Sequence, residues 1–407
     1  MINSITIEGF KSLQKVNIQL GRMNLFIGTN SSGKSNFFDA LRLLQGFAYG
    51  FTVDEILNGK PKGSTSDVWE LIRGGSSKAL FEPRNSKVSN KSGVIKLGVS
   101  LINSQEKNIE YNISFSPNHN SITSENLMCG GITIYDSTKV KHNETAKPSF
   151  SVQYNPGTVQ RPPHWEFEKS RSVLHQILKK PELKEEHRQI IEETIKKLSN
   201  LQRIDPTPSL LREYSKATNV KRMGEHGENF AALINTITKN KDTKSAYVSW
   251  LKELTPTELD DVKVLVGPVG DSLFSLIEKN TILPAPILSD GTLRFAAITA
   301  AFFQPDMPDT LTIEEIENGI HASRVRLLVE LLRNRSEDIQ IIATTHSPIV
   351  LSWLKEGEYK TTFYCRRQPQ TGATLIKPLN EVENFKKIVR KQPIGDLFAE
   401  GWLEGAF

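Results

Sequence analysis

The chain has 407 residues, long enough for two or three domains around a large core, and its 38% apolar and 24% charged content is ordinary for a globular protein. Its 51 Lys and Arg against 46 Asp and Glu leave a net charge of +5, which permits a nucleic-acid partner without demanding one. Two distant cysteines, Cys129 and Cys365, exclude a disulfide framework and a cysteine zinc site. No apolar run nears the roughly 20 residues of a membrane helix and no signal-peptide core is present, so the expected location is the cytoplasm, away from membranes.

Residues 3–8 and 15–20 alternate as two short strands around Gly9-Phe10-Lys11-Ser12-Leu13. Met23-Asn24-Leu25-Phe26-Ile27 is an apolar strand that runs straight into Gly28-Thr29-Asn30-Ser31-Ser32-Gly33-Lys34-Ser35, and residues 36–45 read as a helix. This is a G-x-x-x-x-G-K-S loop in its strand–helix setting. Gly28 and Gly33 let the backbone wrap a phosphate, inward N–H groups and the helix N-terminus supply positive potential, and Asn30, Ser31, Ser32 and Asn36 complete the cradle. Lys34 would reach the β- and γ-phosphates, and the Ser35 hydroxyl would sit on Mg²⁺. An ordinary Gly/Ser turn with a solvated lysine has the same spacing, but the flanking strand and helix favour a nucleoside triphosphate site.

A Gly/Ser/Lys-rich stretch, 59–66, follows. From 93 to 156 the pattern turns to period two: 94–99, 109–115 and 132–135 read as antiparallel strands with turn-rich links. Lys139, Lys141 and Lys147 lie in a stretch best read as a solvated loop. From 165 to 280 helical signals dominate. Leu183, Ile190, Ile191, Ile195 and Leu198 form one apolar stripe over about two heptads, too short for a coiled-coil arm. Residues 221–230 contain a turn and a candidate helix cap at Asn229.

After residue 281 the chain is again α/β, with strands and helices alternating as in a parallel sheet whose ligands sit at the strands' carboxyl ends. Leu288-Ser289-Asp290-Gly291-Thr292-Leu293-Arg294 precedes an apolar helix over 295–303, and Ser289 is its candidate N-cap. Leu311-Thr312-Ile313 is a buried-type strand before Glu314-Glu315-Ile316-Glu317-Asn318-Gly319. Hydrolysis beside a P-loop needs one carboxylate to hold Mg²⁺ through water and a second to position or deprotonate the attacking water. Adjacent carboxylates leaving a strand point to opposite sides, so Glu314 and Glu315 can divide those roles. Residues 323–335 read as an amphipathic helix. Ile339-Gln340-Ile341-Ile342-Ala343-Thr344 is a further buried strand, and it ends in Thr345-His346-Ser347-Pro348, where His346 would face the γ-phosphate.

Taken in order, the P-loop, L-S-D-G-T-x-R, E-E-x-E-N-G-x-H and T-T-H-S-P resemble the motifs of ABC-type ATPase heads, in the wording of bacterial AAA-type ATPases related to RecF, SMC and OLD proteins. The hairpin Ile5-x-Ile7-x-Gly9-Phe10-Lys11-Ser12-Leu13 and the ending Gly395-Asp396-Leu397-Phe398-x-x-Gly401 are similar to the same family, as is the G-x-x-G-x-N stretch at 224–229. The resemblance implies an α/β fold: an ABC-type head with a mixed sheet and an antiparallel β subdomain, formed by 1–160 and 281–407, and a mainly helical insertion at 161–280. It implies that Ser289, Asp290 and Gly291 contact the γ-phosphate of ATP held by a second subunit, with Glu314 the Mg²⁺-water carboxylate, Glu315 the catalytic base, 317–319 a dimer-contact loop and His346 the switch histidine. The family's Q-loop glutamine has no assigned counterpart, Glu stands at 314 where Asp is commoner, and Ile316 and Ala322 replace frequent prolines.

OLD-type relatives carry a metal nuclease domain with a D-x-D pair. No D-x-D follows His346, and the eight histidines form no cluster with metal-ligand spacing. The leading expectation is therefore an ATP-driven switch binding ATP and Mg²⁺, a homodimer or higher oligomer through its heads. In that reading it serves as sensor or scaffold in an anti-phage system whose effector is a separate nuclease or toxin-like protein. A DNA-repair or chromosome ATPase of RecF type acting directly on DNA is the alternative, and a transporter subunit the weakest.

Overall fold

The computed structural model describes residues 1–60, 69–84, 93–138, 148–157, 161–216, 219–254 and 259–405. Lys139, Lys141, Lys147 and most of 59–66 lie outside the described residues.

The strands are β1 Ile2–Phe10, β2 Leu13–Gln19, β3 Met23–Ile27, β4 Ile95–Ile102, β5 Asn108–Ser116, β6 Ser121–Cys129, β7 Ile132–Asp136, β8 Ser149–Tyr154 and β9 His164–Glu168. They continue as β10 Leu201–Ile204, β11 Leu259–Val266, β12 Ser272–Glu278, β13 Thr281–Pro284, β14 Thr310–Ile313, β15 Gln340–Thr345, β16 Thr362–Arg367 and β17 Thr374–Pro378. The α-helices are α1 Lys34–Ala48, α2 Val53–Asn58, α3 Val173–Ile177, α4 Glu185–Ser199, α5 Pro208–Leu211, α6 Phe230–Ile237 and α7 Lys241–Leu254. After these come α8 Asp290–Ala301, α9 Val325–Arg335, α10 Pro348–Ser352, α11 Phe385–Val389, α12 Ile394–Ala399 and α13 Trp402–Gly405.

The chain divides into two compact units: 1–21, 28–201 and 363–377 in the first, and 22–27, 202–362 and 378–407 in the second. The first unit is built on an eight-stranded sheet in the order β2-β1-β4-β5-β6-β7-β8-β9. Every pairing in it is antiparallel. The period-two pattern is the cause: in β2 Leu13, Val16 and Ile18 are buried while Gln14, Lys15, Asn17 and Gln19 face water. In β5 Ile109, Tyr111, Ile113 and Phe115 point inward. Helix α1 buries Phe37, Leu41, Leu44 and Phe47, and the Phe47 ring meets Phe115 edge-on at 5.2 Å. Helix α4 turns Ile191, Thr194 and Leu198 inward and stops after about four turns, as the short stripe requires.

In the second unit four strands lie in the order β10-β14-β15-β3. β14, β15 and β3 run parallel, with Ile313 opposite Ala343 and Thr345 opposite Ile27. All three are buried along their whole length, which is why they read as continuous apolar runs rather than alternations. Their carboxyl ends share one edge, where Ile313 hands over to Glu314 and Thr345 to His346. Helices α8 and α9 bury Leu293, Phe295, Ile298, Val325, Leu328 and Leu332, and β11-β12-β13 form a separate antiparallel sheet.

The partition differs from the expected head and helical insertion. Residues 161–280 hold α3 to α7 but also β9 to β12, and they are shared between the two units, which meet the sequence near residue 201. The reason is β10: four residues with a buried Gln202 carry no strand periodicity, yet they pair beside the acidic strand β14.

Candidate nucleotide site

The loop after β3 adopts a conformation that only its glycines allow. Gly28 has φ +150°, and a Cβ there would collide with the Cys365 carbonyl oxygen; Gly33 has φ +102°, and a Cβ would collide with the Thr374 hydroxyl. Lys34, 8% exposed, folds back so that Nζ donates to the carbonyls of Gly28 at 2.7 Å and Thr29 at 2.9 Å. Among the described residues the Ser32 hydroxyl is buried without a hydrogen-bond partner, an orphan polar group in a loop built to face an anion. Beside it, burial pushes the Cys365 thiol up to about 12, so this cysteine is a neutral packing group and not a nucleophile.

Two residues outside the motif hold this loop. Asn36 Nδ2 donates to Ser12 Oγ at 2.6 Å, Ser12 Oγ lies 2.7 Å from Thr374 Oγ1, and Thr374 Oγ1 donates to the Ser32 carbonyl at 2.9 Å. A carbonyl only accepts, so the Thr374 proton goes to Ser32 and Ser12 must donate to Thr374. Asn36 thus acts at the back of the loop. Ser12 lay in the resembling hairpin, whereas Thr374 carries no sequence signal at all.

The acidic edge differs from the expectation in one respect. The strand ends at Ile313, and Glu315 sits in the left-handed region at φ +46°, so the two carboxyl groups are separated by a turn and not by strand alternation. Thr344 imposes that turn: its Oγ1 accepts the Glu315 N–H at 2.9 Å and its carbonyl accepts the Ile316 N–H at 3.1 Å. Such a backbone costs about 1–3 kcal/mol and persists where its surroundings enforce it. Glu314 is 9% exposed and Glu315 half-buried. The Glu314 carboxylate bonds Arg203 Nη2 at 2.8 Å, and Arg294 donates to the carbonyls of Glu314 at 2.9 Å and Glu315 at 3.2 Å. His346 is held by Glu317, whose Oε1 accepts the His346 backbone N–H at 2.9 Å and lies 3.2 Å from Nδ1. Glu317 thus fixes the position of His346 through both its backbone and its ring.

Ser289 caps α8 as expected, its Oγ accepting the Thr292 N–H at 3.2 Å. Ser289 and Asp290 are exposed, and Arg212 Nη2 pairs with Asp290 at 2.5 Å. Gly291 packs back to back with Gly319 of the same chain: a Cβ at 291 would collide with the Gly319 carbonyl oxygen. Asn229 does not cap α6 through its side chain; it clasps its own loop, accepting the Gly224 N–H at 2.8 Å and donating to the Arg222 carbonyl at 3.0 Å. Among the described residues no helix is long and apolar enough to cross a membrane, and no group of three or more His, Cys, Asp or Glu is placed to hold a metal.

Comparison with known proteins gives this arrangement its class. The chain is similar, at 22% identity over 386 residues, to an "ATP/GTP phosphatase" of Helicobacter pylori (strain ATCC 700392 / 26695), covering 90% of this chain and 93% of that protein. Its fold resembles the crystal structure of the SmcHead bound to the C-winged helix domain of ScpA, with TM-score 0.53 and 13% identity over 95% of this chain and 99% of the other. The SMC head domain from Thermotoga maritima aligns over 93% of this chain and 98% of the other at TM-score 0.47 and 12% identity. The family described as "AAA domain, putative AbiEii toxin, Type IV TA system" matches residues 23–352, which include the phosphate loop, the capped helix α8 and the acidic edge. The chain belongs to this AAA domain family and is an ABC-type AAA ATPase.

Proposed function

We propose that the chain is an ATP-driven switch in which two copies close over two ATP molecules and reopen on hydrolysis. The observation that carries this is the exposed start of α8. Ser289 and Asp290 are fixed by the cap and by Arg212 yet face solvent, presenting the N-terminus of a twelve-residue helix to an incoming anion. In this reading Gly28, Asn30, Ser31, Ser32, Gly33, Lys34 and Ser35 hold ATP in their own chain while Asn36 braces the loop from behind, and Ser289, Asp290 and Gly291 act on the γ-phosphate of the partner copy.

The Ser35 hydroxyl and the Glu314 carboxylate would each offer the oxygen donors that Mg²⁺ takes. Mg²⁺ bound there would supply positive charge against the phosphates. Glu315, held in its turn by Thr344, would take a proton from the attacking water. His346, oriented by Glu317, would sense the γ-phosphate through its ring. The family's toxin–antitoxin description and the motif wording support a role in genome defence, with a separate nuclease or toxin-like effector released or engaged by the switch.

The test is complementation. Lys34→Ala removes the phosphate-facing ammonium and Ser289→Arg blocks the signature surface, so each variant alone is inactive. Mixed, they form one composite site with both parts intact, and ATPase activity returns in part. Heterodimers that form and stay inactive overturn the trans arrangement. Rates measured with and without duplex DNA add a second arm: strong stimulation by DNA alone would replace the defence reading with direct action on DNA.

A further inference from the structure

Arg203 is shared between two acids. Its Nη2 bonds Glu314 Oε1 at 2.8 Å and its Nη1 bonds Glu225 Oε1 at 3.2 Å. The three side chains are 18%, 11% and 27% exposed, so these are screened far less than surface pairs. Glu225 belongs to the 221–229 loop, which is strapped along β10 like an extra strand. Gln202 Nε2 donates to the Met223 carbonyl at 2.8 Å, the Asp205 N–H to the Glu225 carbonyl at 2.7 Å, and the Thr207 N–H to the His226 carbonyl at 3.0 Å. Gln304 Oε1 accepts the Met223 N–H at 2.9 Å. A second link runs beside the first: Arg294, 4% exposed, bonds Asp205 Oδ1 at 3.2 Å and the Pro206 carbonyl at 2.6 Å while donating to the carbonyls of Glu314 and Glu315.

A carboxylate oxygen engaged by a guanidinium cannot give the same lone pairs to a metal-bound water, and the guanidinium charge opposes a nearby cation. Arg203 therefore fixes the orientation of Glu314 and at the same time competes with a cation for it. Glu225 draws part of the guanidinium away. We propose that Arg203 is a positioning residue and that the 221–229 loop regulates the acidic edge through it. Movement of Glu225 toward Arg203 frees Glu314 for Mg²⁺, and movement away hands the whole guanidinium to Glu314. The proposal rests on Glu314 being the metal-side carboxylate.

The test titrates Mg²⁺ against equilibrium binding of a fluorescent ATP analogue, and in parallel against ATPase rate, with melting temperatures confirming that each variant is folded. Glu225→Gln should raise the half-saturating Mg²⁺ concentration about three- to tenfold, the range of a partly buried ion pair. Arg203→Gln should lower that concentration while also lowering kcat, because the competing guanidinium charge is gone and with it the contact that orients the Glu314 carboxylate. In the double variant Glu225→Gln should add nothing to Arg203→Gln. Arg203→Lys, whose single ammonium cannot span both acids, should shrink the Glu225→Gln effect below about twofold. An effect of Glu225→Gln that is absent in the wild-type background, or equally large with Arg203 replaced, overturns the relay. Glu314→Gln separates the two levels: if the Mg²⁺ dependence survives it unchanged, the metal-side role of Glu314 is wrong whatever Arg203 does.

Discussion

Replacing Thr374 by Val keeps the shape of a side chain that is 1% exposed and removes one hydroxyl. That hydroxyl is the middle of the clasp behind the phosphate loop, taking a proton from Ser12 and giving its own to the Ser32 carbonyl. The strand contact is untouched, because the Thr374 N–H still donates to the Ser12 carbonyl at 2.7 Å. Two buried groups, the Ser12 O–H and the Ser32 C=O, lose their partner. At about 1 kcal/mol each the loss is about 2 kcal/mol, and it falls on the loop that must hold its shape around phosphate. In a binding constant that is up to roughly 30-fold, so the ATP dissociation constant should rise by about that factor at most. Isothermal titration with ATP measures it, and thermal unfolding of the free protein gives the global cost. Thr374→Ser restores the hydroxyl and should bind ATP like the parent. A Thr374→Val protein that melts lower yet binds ATP with the parent's affinity would show that the clasp holds β17 and not the phosphate loop.

Two other outcomes are expected. Glu315→Gln keeps the turn and removes the base, so ATP should bind while turnover falls about 100-fold or more and paired heads accumulate with ATP in light scattering; turnover at the parent's rate would remove Glu315 from the reaction. Glu125 gives a pH signature: it is fully buried in β6, accepts hydrogen bonds from Tyr111, Tyr135, Ser172 and the Val173 N–H, and burial nevertheless pushes its carboxyl up to about 7. With the folded pKa above the unfolded one, its contribution is full below the ordinary carboxylate range and is lost as pH rises through about 7. The stability of the parent relative to Glu125→Gln should therefore fall between pH 4.5 and 7, by about 3 kcal/mol at most, and parallel pH–stability curves would contradict this.

The elements legible in the sequence are those whose signal is local. The hairpin β1–β2, the strand β3 with its glycine loop, α1, β14 and β15 all follow from period, apolar runs and turn chemistry within a dozen residues. Strand β6 escaped because its inward face changes phase: Ile122 is buried, then Glu125, Leu127 and Cys129, with a register shift in the partner strand at Ser114 and Phe115. A buried carboxylate among those positions hides the alternation further. Strand β10 escaped because four residues with a buried Gln carry no pattern. In the candidate site the motif residues were legible as motifs, while the groups that hold them were not. Ser12 and Thr374 meet across 362 positions, and Arg203 meets Glu225 and Glu314 only because β10 lies beside β14. Sequence spacing marks the motif residues; it is silent on second partners drawn from elsewhere in the chain.

Gly291, proposed above to act on a partner copy, has a structural cause within its own chain. In the proposed reading its missing side chain would let backbone approach a phosphate on another copy, but its own chain already demands the glycine. A Cβ there would strike the Gly319 carbonyl and lie 3.4 Å from the Ile320 Cα, and Gly319 itself needs to be glycine at φ +74°. The capped helix and the 317–319 loop therefore pack as one piece, and two residues before Gly319 the Glu317 carboxylate holds both the backbone and the ring of His346. A bulky residue at 291 would displace this loop, and with it the histidine, before it met any partner copy. Loss of activity in such a variant could not distinguish a blocked partner from a broken site. Ser289 is exposed and lies outside that packed contact, so an arginine there costs the α8 cap but leaves the Gly291–Gly319 contact itself in place, which is why the complementation experiment turns on Ser289→Arg.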